Sequence, residues 1–227
     1  MTTACLFLIP WLWLVQPAAE APATGVERWE ATIARFEAQD RQTPPPAGGI
    51  LFVGSSSIRL WKTEKWFPEA GVLNRGFGGS EIADVHHFAE RIVFKYQPRV
   101  IVFYAGDNDV AKGKTAERVA EDLREFAELV AKRLPATDLI YLPIKPSPAR
   151  WKLWPIARAA NARIEQELQS RPRCHYADIA TPMLGADGEP RAELFAADRL
   201  HLSDEGYRLW SEIVQRAMDR VKPVGTP

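Results

Sequence analysis

Apolar residues along this chain follow two spacings in turn, and the alternation predicts an architecture. Short apolar runs at residues 50–53, 72–74, 100–104, 139–144 and 175–179 read as buried strands. The stretches between them repeat at helical spacing. Residues 115–134 place Val119, Leu123, Phe126 and Val130 on one face, with Thr115 to cap the start and Pro135 to end it. Residues 26–39 carry Trp29, Ile33 and Phe36 as a helical stripe, and the Pro- and Gly-rich residues 43–49 then stop regular structure. A last helix opens near Ser203 and sets Trp210, Ile213, Val214, Ala217 and Val221 inward. Strands alternating with helices of this length imply βαβ units, hence an α/β fold of three layers with a five-stranded parallel sheet covered on both faces. No internal repeat or second-domain boundary breaks residues 23–227. Ligands in such sheets bind beyond the carboxyl ends of the strands, so the loops of interest begin at Gly54, Arg75, Ala105, Lys145 and Ala180.

Composition narrows the functional classes. The 227 residues suit one domain with a substantial core, and 46% of them are apolar, including eight Trp and ten Phe. Lys plus Arg and Asp plus Glu number 29 each, without a basic stripe, which argues against a nucleic-acid partner. The apolar run at residues 6–15, followed by Ala19-Glu20-Ala21 and Ala21-Pro22-Ala23, reads as a secretory signal peptide over residues 1–22, although no Lys or Arg precedes it. That reading implies a secreted or periplasmic protein with no stable membrane span once the signal is removed. A retained helix, as anchor or buried hairpin, is the alternative. Loss of Cys5 with the signal leaves Cys174 alone in a strand-like run, a structural thiol rather than a disulfide partner. With no CxxC pair, a structural zinc site is not expected.

Four chemically useful segments then fall at one edge of the sheet. The first strand runs into Gly54-Ser55-Ser56-Ser57, the second into Asn74-Arg75-Gly76-Phe77-Gly78-Gly79-Ser80, the third into Gly106-Asp107-Asn108-Asp109, and Asp198-Arg199-Leu200-His201 precedes the last helix. A serine hydroxyl is inert at neutral pH without a base; a histidine supplies one, and a carboxylate three residues away orients it. Together these segments resemble the SGNH (GDSL-type) hydrolase family, particularly the branch similar to platelet-activating-factor acetylhydrolase alpha subunits. The resemblance covers roughly residues 50–215, with the blocks in the family's order.

The resemblance implies the flavodoxin-like SGNH fold and a role for each block. Ser56 is the nucleophile, Asp198 the orienting acid and His201 the base. The backbone N–H groups of Ser56 and Gly79, with the side-chain amide of Asn108, form the oxyanion hole. The family's usual Asp before the nucleophile is Ser55 here and Ser57 follows, so three serines compete; alignment and the place beside the strand end favour Ser56. Ser55 and Trp151 are expected against substrate, and residues 145–151 form one wall of the cleft. The implied activity is hydrolysis of a carboxylic ester, small-molecule, carbohydrate or lipid, with short acyl groups preferred because no long apolar lid appears. No metal or organic cofactor is required. A carbohydrate O-acyltransferase on the same machinery, or a catalytically silent carbohydrate- or lipid-binding domain, are the rival readings, and oligomeric state stays open.

Other features have plainer readings. The glycines at 76–79 lack GxGxxG spacing and a P-loop Lys-Ser/Thr pair. His86 and His87 are neighbours on a helix and point apart, which disfavours a shared metal. His175 is a strand residue. Trp61, Trp66, Trp151 and Trp154 belong to core or rim.

Overall fold

The computed structural model describes residues 25–221; the segment read above as a signal peptide, residues 1–22, lies outside the described residues. Five parallel strands, β1 (Ile50–Gly54), β2 (Val72–Gly76), β3 (Val100–Tyr104), β4 (Asp138–Tyr141) and β5 (Cys174–Tyr176), form one sheet in the order β2-β1-β3-β4-β5. Around it lie α1 (Glu30–Gln42), α2 (Ser56–Arg59), α3 (Thr63–Trp66), α4 (Ile82–His87), α5 (Ala89–Ile92), α6 (Asp107–Ala111), α7 (Ala116–Arg133), α8 (Trp154–Gln169) and α9 (Asp204–Arg220). The expected three-layer α/β/α arrangement is the one observed.

The period-two alternation of strand side chains divides the core into two halves. Leu51, Val53, Ile101, Phe103, Leu139 and Tyr141 meet Ile33 of α1, Val85 of α4, Phe126 of α7 and Ile164 of α8. Ile50, Phe52, Val100, Val102, Tyr104 and Ile140 meet Ile58 of α2 and Trp210 and Val214 of α9. Thr115 caps α7 by accepting from Arg118 N, and Ser203 caps α9 by accepting from Gly206 N.

Two strands end sooner than their apolar runs. Beyond β4, Leu142 and Ile144 remain buried, but the N–H and carbonyl of Ile144 bond to the Asn161 side chain of α8 at 2.8 and 2.9 Å, so an amide replaces the ladder. Beyond β5, the Asp178 carboxylate accepts from Ala180 N and Thr181 N, and this side-chain turn halts the strand. The amino-terminal stripe begins as a 3-10 turn, Gly25–Trp29, and continues as α1 to Gln42. The strand order reverses direction between β1 and β3, and loops leaving such neighbours diverge to open a crevice at their carboxyl ends.

Candidate active site

β1 ends against β3 too closely for any side chain. Gly54 sits at φ +141°, and a Cβ there would lie 1.9 Å from the Tyr104 carbonyl oxygen, the same oxygen that accepts from Ser55 N at 2.9 Å. The chain then turns at once into the single turn of α2. Ser55 and Ser57 are both fully buried, while Ser56 between them is half-buried, so only its hydroxyl reaches the crevice. Ser57 is fastened from two sides: its carbonyl accepts from Tyr207 Oη at 2.9 Å and its Oγ from Lys145 Nζ at 3.1 Å. Burial of Ser55 corrects its assignment to substrate contact; its Oγ faces the interior and has no hydrogen-bond partner among the described residues.

Across from this turn, the loop before α9 folds back on itself. Asp198 Oδ1 accepts from Leu200 N and His201 N at 3.0 and 2.9 Å, and Oδ2 meets His201 Nδ1 at 2.5 Å. These contacts, the His201 ring first and the two backbone N–H groups after it, hold the Asp198 pKa down to about 2. A carboxylate ionised at Nδ1 makes that nitrogen the donor and leaves the Nε2 lone pair outward. Nε2 lies 3.0 Å from Ser56 Oγ, a contact spanning 145 positions of sequence. Arg199, at φ +58°, takes the left-handed conformation this tight loop demands.

The other side of the crevice comes from β2 and β3. Gly79 is exposed, at φ +78°, beside the buried Ser80. Asn108, at the start of α6, donates from Nδ2 to the Ser80 carbonyl at 3.0 Å, and the fully buried Asp109 accepts from Ile82 N at 3.3 Å. These two bonds stitch the β2 and β3 loops together and set Asn108 beside the segment carrying Gly79. Burial pushes the Asp109 carboxyl up to about 6 despite its contact with Lys114.

A buried charge network under the site had no sequence signature. The Lys145 side chain is wholly enclosed and donates to Asp107 Oδ2 at 2.9 Å, Tyr104 Oη at 3.0 Å and Ser57 Oγ at 3.1 Å. Arg150 reaches Asp107 Oδ2 at 3.4 Å and donates to Asn108 Oδ1 at 3.0 Å. Burial opposes charge on Asp107, but Lys145 and Arg150 hold its carboxyl below the ordinary range. Residues 145–151 therefore do flank the crevice, and Ala149 N also donates to Arg199 O. Trp151 is partly exposed and stacks on Trp154 at 5.9 Å between centroids. Elsewhere, Cys174 is half-buried and burial raises its thiol pKa. His175 pairs with Asp138 of β4 at 2.9 Å, a second His–carboxylate contact that strand register creates.

Residues 59–209 match the GDSL-like lipase/acylhydrolase family. The platelet-activating factor acetylhydrolase IB subunit alpha2 of Rattus norvegicus is 30% identical over 209 residues, covering 84% of this chain and 83% of that protein. The chain belongs to this family. The human alpha1 subunit is 28% identical over 203 residues, with 85% and 83% coverage. Among solved structures, a GDSL-like lipase from Bacteroides thetaiotaomicron superposes with a TM-score of 0.73 at 21% identity, covering 84% of this chain and 98% of its own. An acetylxylan esterase from Geobacillus stearothermophilus gives 0.61 at 15%, covering 80% and 99%. The family match begins at Arg59, just beyond the turn that carries Ser56 and its contact with His201. Where the resemblance expects an Asp this chain has the enclosed Ser55, and the charges beneath the turn are those of Lys145 and Asp107.

Proposed function

We propose that this protein is a serine esterase that cleaves carboxylic esters with short acyl groups through an acyl-enzyme intermediate, Ser56 being the nucleophile, His201 the base and Asp198 the orienting acid. One observation carries the reading: the unbroken line from Asp198 Oδ2 through the His201 ring to Ser56 Oγ, with contacts of 2.5 and 3.0 Å, at the strand-end crevice. His201 Nε2 takes the hydroxyl proton as Ser56 Oγ bonds to the ester carbonyl carbon, and the carbonyl π electrons move onto oxygen. That oxyanion needs donors at about 2.7–3.1 Å. Ser56 opens a helical turn, so its N–H has no intrahelical acceptor; with Gly79 N–H and the Asn108 amide it supplies them. Collapse expels the alcohol, which receives the proton from His201. Water, deprotonated by the same nitrogen, then attacks the acyl carbon, releases the acid and restores Ser56.

Proteins named as an acetylhydrolase and an acetylxylan esterase are among this chain's relatives and structural neighbours, which makes acetyl esters the first class to assay. The test is fluorophosphonate labelling with peptide mapping, alongside turnover of p-nitrophenyl esters from acetate to octanoate. Label on Ser56, and turnover lowered by several orders of magnitude in folded Ser56→Ala and His201→Ala, is the expected result. Full activity in either variant would defeat the residue roles, and preference for octanoate would defeat the acyl-length reading.

A further inference from the structure

We infer that Arg150 is a positioning residue for the oxyanion hole, holding the Asn108 carboxamide oxygen so that its amide N–H is aimed at the reacting carbonyl, a role that rests on the esterase reading and extends it. A carboxamide rotates broadly about its last bond, and its two ends differ only as oxygen and NH₂. An asparagine serving an oxyanion is therefore exposed to a specific failure: when the amide turns over, a donor becomes a repelling lone pair. Two contacts oppose that rotation here. Nδ2 donates to the Ser80 carbonyl at 3.0 Å, and Oδ1 accepts from Arg150 Nη2 at 3.0 Å. A flipped amide would set NH₂ against the guanidinium and oxygen against the Ser80 carbonyl, so both contacts would become repulsive at once. With one Nδ2 hydrogen engaged by Ser80, the second is the one left for substrate.

Arg150 is itself held from behind. Its Nη1 lies 3.4 Å from Asp107 Oδ2, which Lys145 meets at 2.9 Å, and Lys145 continues to Ser57 Oγ at 3.1 Å. A single polar chain, Ser57–Lys145–Asp107–Arg150–Asn108, thus joins the residue after the nucleophile to the side-chain donor of the hole. The bond from Ala149 N to Arg199 O, at 3.0 Å, ties the same segment to the loop of Asp198 and His201. Arg150 breaks the surrounding 3-10 turn, with φ −117° and ψ 22°. Its side chain is 24% exposed, so a small cation from solvent can reach its place once the side chain is truncated.

The experiment measures kcat and KM for p-nitrophenyl acetate in wild type, Arg150→Ala, Asn108→Ala and the double variant, with circular dichroism to confirm folding. Loss of one oxyanion donor lowers turnover about a hundredfold or more, and loss of its alignment is expected to lower kcat at least about tenfold in Arg150→Ala. KM should stay within about threefold, because an interaction made only in the transition state appears in kcat. In the Asn108→Ala background the same truncation should cost less than about twofold, since residues acting through one another are not additive. Millimolar guanidinium should restore part of the Arg150→Ala rate and none of the double variant's. Should Arg150→Ala not fold, Arg150→Gln, which keeps one N–H donor and most of the volume, takes its place and should retain more of the wild-type kcat than Asn108→Ala does. An unchanged kcat, or equal losses in both backgrounds, would overturn the positioning role while leaving the esterase intact. A folded wild type that neither turns over ester nor takes the fluorophosphonate label would sink the esterase reading and this role with it.

Discussion

Lys145→Met removes an enclosed ammonium while nearly keeping side-chain length and volume, so a cavity contributes little. The ammonium makes three hydrogen bonds, at 3.1 Å to Ser57, 3.0 Å to Tyr104 and 2.9 Å to Asp107. Without it the Asp107 carboxylate keeps the Arg150 guanidinium, 3.4 Å away, as its charged partner. Stranding one member of a buried ion pair costs about 3–5 kcal/mol. Because Arg150 stays and the Tyr104 hydroxyl also faces this carboxylate, the lower figure, about 3 kcal/mol, is expected. In a domain of this size that lowers Tm by about 6–12 °C. The pH dependence has a definite sign. Asp107 is depressed in the fold, so its contribution is present above its unfolded value of 3.8 and is lost as pH falls through the folded one. Removing Lys145 raises the folded pKa, and the variant's Asp107 takes up its proton at higher pH than wild type's does. The stability gap should therefore be widest near neutrality and shrink toward acid. Urea unfolding followed by tryptophan fluorescence from neutral pH to near the unfolded Asp107 pKa reads this directly. Lys145→Met/Asp107→Asn, which removes both charges and leaves Arg150 its bond to Asn108, should recover at least half the loss. A deficit under about 1 kcal/mol at neutral pH, the size of an exposed pair, or a gap that widens on acidification, would refute the reasoning.

Asp198, held at about 2, stays ionised through the mildly acidic range, so the acid limb of kcat/KM should fit the uptake of one proton; a slope of two would mean that Asp198 titrates with the base. Ser55→Ala deletes a buried hydroxyl with no partner among the described residues and should leave stability within about 1 kcal/mol of wild type and ester turnover little changed; a drop of two orders of magnitude would return Ser55 to the site. Expression of the full chain in a bacterial host should yield a periplasmic or secreted product whose amino terminus, read by mass spectrometry, falls just after Ala21 or Ala23. An intact Met1 on membrane-bound protein would favour the retained helix.

Much of the architecture is carried by short-range pattern. A run such as 100–104, apolar at every position, can satisfy itself only as a strand buried on both faces, and β3 occupies those residues. Thr115 and Ser203 announce the starts of α7 and α9 because capping is a matter of three residues. The pairing of Asp198 with His201 was legible for the same reason: both belong to one tight loop. Choosing among Ser55, Ser56 and Ser57 was a different problem. Their chemistry is identical, and burial separated them only once β3, Lys145 and Tyr207 had closed around the turn.

Lys145 shows the limit most clearly. Its place after a strand puts Lys145 in the expected cleft wall, but nothing local announces its burial, and its partners lie 88, 41 and 38 positions away. What buries it is the sheet order, which sets β1, β3 and β4 side by side so that the segments after them share one edge. His175 and Asp138 likewise meet only through the pairing of β4 with β5. Periodicity, capping and turns depend on residues a few places apart and are written into any window of the chain. The partners of a buried charge depend on which strands become neighbours and in what register, and that choice is made by the whole core at once.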